Sequence, residues 1–330
     1  MRSLRRAKII GTGLYLPEKR LTNADLEKMV DTTDEWIVTR SGIRERRIAE
    51  PNQAVSDLAV PAAQMALKNA GISPEQIGCV ILASFTPDRT ISATACIIQH
   101  KLGCKNAGAF DIEVACSGFI YATTLGRSLI ETHVCDYVLV IGADILSKVI
   151  DFTDRNTCVL FGDGAGAVVL GPSANEDEGI FDVLLGADGG GADHITIPAG
   201  GTQMPTTVKT VEDRLHYVKI NGKEVFKFST KIVGDMIEQV LTRNNLTLDN
   251  VKLIIPHQAN IRIIESAAKR FNCPMDKFFI NLDRYGNTVA GTIPIGLHEA
   301  LGEGRISKGD IVLLAGFGGG LTWGLVAMKW

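Results

Sequence analysis

Short apolar runs alternate along the chain with longer stretches in which apolar residues recur at helical spacing. Runs rich in β-branched residues predict buried strands at residues 79–83, 137–141, 251–255 and 310–315. Helical spacing predicts helices at residues 57–69, 117–132, 230–243 and 262–270. Because strands alternate with helices, the pattern predicts an α/β protein with largely parallel sheets covered on both faces.

The pattern occurs twice, at an offset of 174 residues. Seven residues between 67 and 81 fall on similar residues between 241 and 255, and five between 136 and 142 fall on similar residues between 310 and 316. This agreement predicts a duplicated unit with halves at about residues 1–174 and 175–330. Functional groups in such sheets collect where strands end, and the polar residues at these exits are Cys116, His257 and Asn287.

Composition limits the class of protein. The chain has 330 residues, of which 45% are hydrophobic and 22% charged, which is typical of a globular enzyme and excludes a disordered or fibrous chain. A net charge of −3 gives no overall basic excess for nucleic acid or a membrane surface. The apolar run at residues 9–16 contains two glycines and ends at Pro17, too short for a signal peptide or membrane span. We therefore expect a cytoplasmic protein.

The seven cysteines contain no C-x-x-C pair and no ligand spacing typical of zinc. We expect reduced thiols, no metal and no disulfide framework. Cys116 lies between a predicted strand and a predicted helix. A helix N-terminus favours thiolate and so makes a better nucleophile, whereas the alternative is a buried structural cysteine.

The other two strand exits carry an imidazole and an amide. The chain has six histidines. Only His257 lies at the end of a predicted strand whose equivalent in the other half also lines the predicted site. Alternatives are a structural histidine for His257 and a helix N-cap for Asn287. Together with Cys116, they supply a nucleophile and two hydrogen-bonding groups suited to acyl transfer through a thioester.

Two glycine-rich runs, at residues 161–167 and 316–324, fit neither G-x-G-x-x-G between strand and helix nor a P-loop. Strand-like apolar residues follow both runs. They predict tight turns with close backbone approach and N–H groups available to an oxyanion.

Six segments carry a family resemblance: residues 34–44, 115–119, 161–167, 256–260, 285–288 and 316–324. Their sequences and order resemble the β-ketoacyl-acyl carrier protein synthase III family of the thiolase superfamily. The resemblance implies an α/β fold with duplicated βαβαβαββ halves in five αβαβα layers, and a homodimer. Residues 1–174 would carry the nucleophile, and residues 175–330 would carry His257 and Asn287.

By resemblance, the protein starts type II fatty acid synthesis and needs no cofactor, acyl-CoA being a substrate. Cys116 takes an acyl group from a short acyl-CoA and is then attacked by the carbanion that malonyl-acyl carrier protein forms on losing carbon dioxide. His257 and Asn287 hold the malonyl thioester oxygen. Backbone N–H groups of Cys116 and Gly319 form a second oxyanion hole. The products are 3-oxoacyl-acyl carrier protein, CoA and carbon dioxide.

The resemblance also implies binding residues. CoA would contact Trp36, Arg40, Arg155, Phe226 and Asn260, carrier protein would dock on Lys227, Arg262, Lys269 and Arg270, and the acyl pocket would use Phe161 and the partner subunit's Ile91. The structural alternatives are that the Trp36 indole is partly buried in the core, and that the basic side chains lie in solvent or interact with the end of a helix. The sequence departs from the usual family residues at Asn156, at Lys223 and in the run 289–292.

Two other functions stay open at this point. One is a similar condensing enzyme of polyketide or other secondary metabolism, and the other is a non-catalytic acyl-CoA-binding protein. Isoleucine at position 91 favours short primers, including branched ones of four or five carbons, and excludes long chains.

Overall fold

A computed structural model describes residues 5–330; residues 1–4 of the predicted first half lie outside them. The strands are β1 (Ala7–Tyr15), β2 (Arg20–Thr22), β3 (Glu45–Arg47), β4 (Cys79–Ala83), β5 (Gly108–Ile112), β6 (Val138–Asp144), β7 (Gly164–Pro172), β8 (Gly179–Ala187), β9 (Ile195–Thr196), β10 (Lys219–Ile220), β11 (Val251–Pro256), β12 (Ile311–Gly318) and β13 (Thr322–Lys329). The helices are α1 (Asn23–Leu26), α2 (Asp34–Ser41), α3 (Val55–Ala70), α4 (Thr94–Leu102), α5 (Gly118–Glu131), α6 (Arg155–Cys158), α7 (Val208–Glu212), α8 (Gly222–Arg243), α9 (Ile261–Arg270), α10 (Leu282–Tyr285) and α11 (Thr292–Gly302).

Two sheets form the centre of the molecule. The first has the strand order β1-β7-β6-β4-β5 and the second has the order β11-β12-β13-β8. Only the pairs β4–β5, β4–β6 and β11–β12 are parallel among these described strands, so the prediction of largely parallel sheets was wrong. The sheets are mixed because β6 and β12 are each followed by an antiparallel strand reached without a helix packed across the sheet.

The two sheets enclose a layer of helix. α5 and α11 pack between them, α3 and α4 cover the outer face of the first sheet, and α8 covers the outer face of the second. Apolar residues of both sheets and both central helices form one core cluster, which includes Ile81, Phe119, Leu253 and Ile293. Because both sheets pack against these helices, the residues that they bury are mostly apolar or small.

The register of the strands reproduces the repeat. Cys79 pairs with Val138 in the first sheet, and Leu253 pairs with Val312 in the second, each 174 residues further along. The described strands of the first sheet lie within residues 7–172 and those of the second within 179–329. The division at residue 174 stays a prediction about domains.

Two differences from the predicted elements affect the site. α8 begins at Gly222, well before the predicted residue 230, because Asn221 caps its first turn. Charged residues in the first turns interrupt the apolar pattern from which the helix was predicted. In the second half, the counterpart of β5 is reduced to a single bridge between Ile254 and Phe278. The chain turns into α10 at Leu282, which leaves no room for a longer strand.

Within residues 5–330, none of the helices has both the length and the apolar character that crossing a bilayer requires. All seven cysteines are free thiols.

Candidate active site

Cys116 lies on a tight turn between β5 and α5. The turn Ala115–Ser117 is a 3-10 segment, and Ala115 has a φ of 42°, an unusual conformation for a residue with a side chain. The prediction that the strand runs directly into the helix was wrong, because this turn separates the two elements. Gly318 packs against Cys116, and a Cβ there would lie 2.7 Å from the cysteine Cβ. Only glycine fits at this contact, in agreement with the predicted close backbone approach.

Burial dominates the titration of the thiol. Cys116 is 8% exposed, and burial, followed by the negative charge of Asp144, raises its pKa to about 12. The backbone N–H groups of Cys116 and Gly319 act in the opposite direction but do not outweigh burial. The predicted thiolate is therefore not the resting form, and the sulfur must lose its proton during attack.

His257 follows β11 directly, and its backbone N–H donates to Ala315 O at 2.8 Å. Nδ1 of the ring lies 2.7 Å from Oγ1 of Thr292, and the ring meets that of Phe317 edge-on at 5.2 Å. The side chain is 2% exposed, and burial lowers its pKa to about 3. The imidazole is therefore neutral and can accept or donate one proton.

Asn287 follows α10 and not a strand, so its predicted position at a strand exit was wrong. The residue is fixed by its own backbone and by its carboxamide oxygen. Its N–H donates to Leu160 O at 2.9 Å, and its carbonyl accepts from Gly162 N at 3.0 Å. Oδ1 accepts from Val289 N at 2.8 Å. Because the oxygen is used within the chain, the amide nitrogen is the group that can donate toward a ligand.

Val289 connects the histidine and the asparagine. It has a φ of 51°, which is strongly disfavoured for a β-branched side chain. In this conformation its N–H holds Asn287, while its carbonyl accepts from the hydroxyl of Thr292 at 3.0 Å. Strain at one peptide thus orients two predicted site residues. The run 289–292 departs from the usual family residues, but nothing in its sequence indicates a positive φ at Val289.

One cavity of about 560 Å³ joins most of the predicted site. Its lining includes Cys116, Phe161, Phe226, His257, Asn260, Asn287 and Gly319. Apolar groups dominate the rest of the wall, among them Leu146, Ile195 and Phe317. The structure thus brings a thiol, an imidazole, an amide and backbone donors to one apolar cavity.

Three predicted CoA residues form a cluster outside this cavity. The guanidinium carbons of Arg40 and Arg155 lie 5.5 and 5.3 Å from the centre of the Trp36 ring. Nδ2 of Asn260 donates to Arg40 O at 2.8 Å, which connects the cluster to the cavity wall. Of the three departures from the usual family residues, two concern CoA contacts: Asn156 binds the carboxylate of Asp154, and Lys223 is exposed.

The predicted docking cations are not equivalent. Lys227, Arg262 and Lys269 are exposed, and the Arg262 guanidinium lies 5.2 Å from the ring of Phe226, a cavity residue. Arg270 instead binds Asp235 at 2.7 Å and Glu238 at 2.5 Å. These carboxylates raise the pKa of Arg270 and occupy its donors, so it has less capacity for a partner.

Ile91 lies outside the cavity of its own subunit. It is 86% exposed, an unusual position for an isoleucine. Its predicted role at a partner's acyl pocket stays a prediction.

Two regions of the chain match the models of a known protein family. Residues 110–189 match the family described as 3-oxoacyl-[acyl-carrier-protein (ACP)] synthase III, and residues 241–330 match its C-terminal region. The β-ketoacyl-[acyl-carrier-protein] synthase III of Caldanaerobacter subterraneus subsp. tengcongensis is 54% identical over 324 residues, 98% of each chain. The chain belongs to the β-ketoacyl-[acyl-carrier-protein] synthase III family. It is a condensing enzyme of the acyltransferase type, with the initiating role in fatty acid synthesis.

Solved structures confirm the predicted thiolase-like fold of this synthase III. The 3-oxoacyl-[acyl-carrier-protein] synthase III from Aquifex aeolicus VF5 superposes with a TM-score of 0.90, is 44% identical and covers 98% of this chain and all of its own. The priming β-ketosynthase from the R1128 polyketide pathway superposes at 0.91 and is 32% identical, covering 100% of this chain and 97% of its own.

Proposed function

We propose that this synthase III condenses a short acyl-CoA with malonyl-acyl carrier protein through an acyl-Cys116 intermediate. The observation that carries the proposal is the convergence of Cys116, His257 and Asn287 on one apolar cavity. The acyl group moves from CoA to sulfur, and the acyl-enzyme then moves it to the two-carbon acceptor. No cofactor takes part in this proposal, because acyl-CoA carries the activated thioester.

Acylation requires that a buried thiol lose its proton. We infer that neutral His257 accepts it as the sulfur attacks the acyl carbon, and returns it to the departing CoA sulfur. The negative charge on the tetrahedral intermediate would be met by the N–H groups of Cys116 and Gly319. The influence of both N–H groups on the thiol supports this assignment.

Condensation begins with the loss of carbon dioxide from the malonyl group. The electron pair of the breaking C–C bond forms an enolate, whose oxygen would accept from Asn287 Nδ2 and His257 Nε2. The carbanion carbon of the enolate then attacks the acyl-enzyme carbon. The sulfur of Cys116 leaves as a thiolate and takes a proton from water to become the resting thiol. Donors in an apolar cavity stabilise such charge strongly because water does not compete.

Half-reaction measurements test these roles. Asn287→Ala should slow decarboxylation of malonyl-acyl carrier protein by about 10²-fold, the loss expected for one oxyanion donor, and should leave acylation of Cys116 much less affected. Asn52→Ala, at an exposed position in the turn before α3, is the control for handling and folding. Selective loss of acylation in Asn287→Ala would contradict the assignment.

Recognition of the two substrates is proposed at the cavity mouth. The CoA adenine and phosphates would contact Trp36, Arg40 and Arg155, with Phe226 and Asn260 along the pantetheine. Acidic carrier protein would dock on the exposed cations Lys227, Arg262 and Lys269, and Arg270 would contribute less because of its ion pairs. Arg262→Ala should raise KM for malonyl-carrier protein more than KM for acyl-CoA.

We propose a homodimer that acts in the cytoplasm, with halves 1–174 and 175–330 in each subunit. β5 is an edge strand that exposes Phe110, and an uncovered edge of this kind favours pairing with a second copy. The partner's Ile91 would then close the acyl pocket beside Phe161. Sedimentation should give a dimer at micromolar concentration, and a fully active monomer would remove this proposal.

Ile91 is also the basis for proposing short primers. kcat/KM should be higher for acetyl- and isobutyryl-CoA than for dodecanoyl-CoA, with graded changes between neighbouring lengths. Ile91→Phe should narrow the profile toward acetyl-CoA. A preference for dodecanoyl-CoA would overturn the proposed short pocket.

Similarity to a polyketide priming enzyme keeps a second candidate open. A condensing enzyme of secondary metabolism could use another acceptor with the same cysteine. Comparing malonyl-CoA with malonyl-carrier protein separates the two, since the cations near Phe226 favour the carrier protein. A clear preference for malonyl-CoA would favour the second candidate.

A further inference from the structure

The buried hydroxyl of Thr292 controls which protons the ring of His257 can carry. Thr292 is the first residue of α11 and is 2% exposed, as His257 is. Its Oγ1 lies 2.7 Å from Nδ1 of the histidine and 3.0 Å from the carbonyl oxygen of Val289. Both distances are those of good hydrogen bonds, so the hydroxyl stands between a ring nitrogen and a backbone acceptor.

The hydrogen bonds of the Thr292 hydroxyl determine which tautomer of the His257 ring is present. The carbonyl of Val289 can only accept, and the hydroxyl has a single proton. When Thr292 donates to Val289, it must accept from Nδ1–H of His257, and Nε2 keeps its lone pair. When the hydroxyl turns to donate to Nδ1, the ring proton must be on Nε2. Burial keeps the ring neutral, so these are the two forms available.

The two proposed steps need different forms of the ring. Accepting the proton of Cys116 requires a lone pair on Nε2, whereas holding the enolate oxygen requires a proton there. We propose that Thr292 is a positioning residue that lets His257 be a proton acceptor during acylation and a donor during decarboxylation. This inference rests on the proposed function of His257.

A hydroxyl suits this role because it can both donate and accept. A backbone N–H in its place would fix Nδ1 as an acceptor, and a carbonyl would fix it as a donor. The two forms of the ring differ in which nitrogen carries the proton. We propose that, between CoA release and malonyl binding, Nε2 takes a proton from water and Nδ1 loses one to water. The left-handed turn at Val289 supports the arrangement because it directs the carbonyl to Thr292.

Three variants test the proposal in the full-length enzyme. Thr292→Val keeps the shape and removes the hydroxyl, and Thr292→Ser keeps the hydroxyl. Thr123→Val is the matched control, since Thr123 is fully buried on α5 and its hydroxyl has no partner in the part of the chain that is described. The readouts are the ¹⁵N NMR signals of the His257 ring, the acylation rate with acetyl-CoA and the decarboxylation rate with malonyl-carrier protein.

In the free wild-type enzyme, we expect protonated Nδ1 and unprotonated Nε2, because Thr292 then donates to Val289. Thr292→Val should mix the two tautomers, and it should slow both half-reactions by about 10²-fold because the ring is no longer held in its reacting position. Thr292→Ser should keep the wild-type spectrum and stay within about threefold of the wild-type rates, because it retains the donor and acceptor. Thr123→Val should match wild type in every readout.

A protonated Nε2 in the free wild-type enzyme overturns the proposal and needs no variant to fold. Wild-type rates in folded Thr292→Val, or an equal loss in Thr292→Ser, overturn it as well. His257→Ala distinguishes failure of the proposed function of His257 from failure of the proposed role of Thr292. If that variant keeps both rates, the proposed function of His257 fails; if it loses them while Thr292→Val does not, only the role of Thr292 fails.

Discussion

Two turns of the molecule, 174 residues apart, have the same shape and different chemistry. Ala115–Ser117 and Val289–Gly291 are both 3-10 segments, both begin with a non-glycine residue at positive φ, and both lead into a central helix. The first carries Cys116 at its second position, where the second carries Ala290. The duplicated fold therefore makes two sites of one geometry, and we propose that only the first is a nucleophile site.

The residue facing each turn differs as well. Gly318 lies against Cys116 and leaves the thiol open to the cavity. The position 174 residues earlier is Asp144, whose Oδ2 accepts from the N–H of Ala290 at 3.3 Å. Its other oxygen accepts from Ser84, Phe85 and Thr86, so the carboxylate links the second turn to the segment that follows β4. We call the first turn open, because a glycine faces it and its cysteine lines the cavity, and the second turn closed, because Asp144 binds it.

The largest expected effect comes from closing the open turn. Gly318→Ala would place a Cβ 2.7 Å from that of Cys116 and must displace the thiol. We expect acylation by acyl-CoA to fall by about 10²-fold, because small displacements of a reacting group cost this much. Gly319→Ala keeps its N–H, and its Cβ would meet nothing closer than 3.5 Å, so its loss should be much smaller. Equal losses in both variants, measured by rapid quench, would contradict the packing argument.

The closed turn should be sensitive to pH. Asp144 is fully buried, and burial raises its pKa to about 7 from 3.8. Between these values the folded protein binds more protons than the unfolded one, so stability falls as pH rises toward neutrality. Relative to Asp144→Asn, we expect wild type to lose about 1–4 kcal/mol of unfolding free energy between pH 5 and pH 8. Urea unfolding at both values measures it. Parallel pH dependence of the two proteins would show that this carboxylate does not titrate as described.

The smallest effect concerns the strained residues themselves. Ala115→Gly should raise the free energy of unfolding by about 0.5 kcal/mol, since glycine adopts positive φ without steric cost but loses more chain entropy. Val289→Gly should lower it by about 1 kcal/mol, because burial of the valine side chain contributes more than its strain costs. Urea unfolding of the pair tests the comparison. Val289→Gly as the more stable variant would contradict it.

The repeat, and the three residues that converge on the cavity, could be predicted from short segments of the sequence. His257 directly follows the apolar run of β11 and Cys116 follows β5 after a short turn, whereas Asn287 follows α10. The offset between the halves is visible in the pattern of apolar and polar side chains. The mixed sheets could not be deduced in this way, because a strand buried on both faces, such as the antiparallel β7, has a continuous apolar run whichever direction its neighbour runs.

Other features depend on contacts between distant segments. Arg270 is a basic residue near a helix end in the sequence, but the carboxylates that bind it lie on α8, 35 and 32 residues away. Thr292 is close to Asn287 in sequence and 35 residues from His257, the side chain it contacts. Only the packing of α11 against the end of β11 makes these two residues neighbours.

The central claim is that the turn at Cys116 carries the acyl group. Intact-protein mass spectrometry after incubation with acetyl-CoA, followed by peptide mapping, measures it directly. We predict one acetyl group per subunit, on the peptide that contains Cys116, and none in Cys116→Ala. A folded enzyme that condenses acetyl-CoA without this adduct, or carries it on another of its cysteines, would contradict the account.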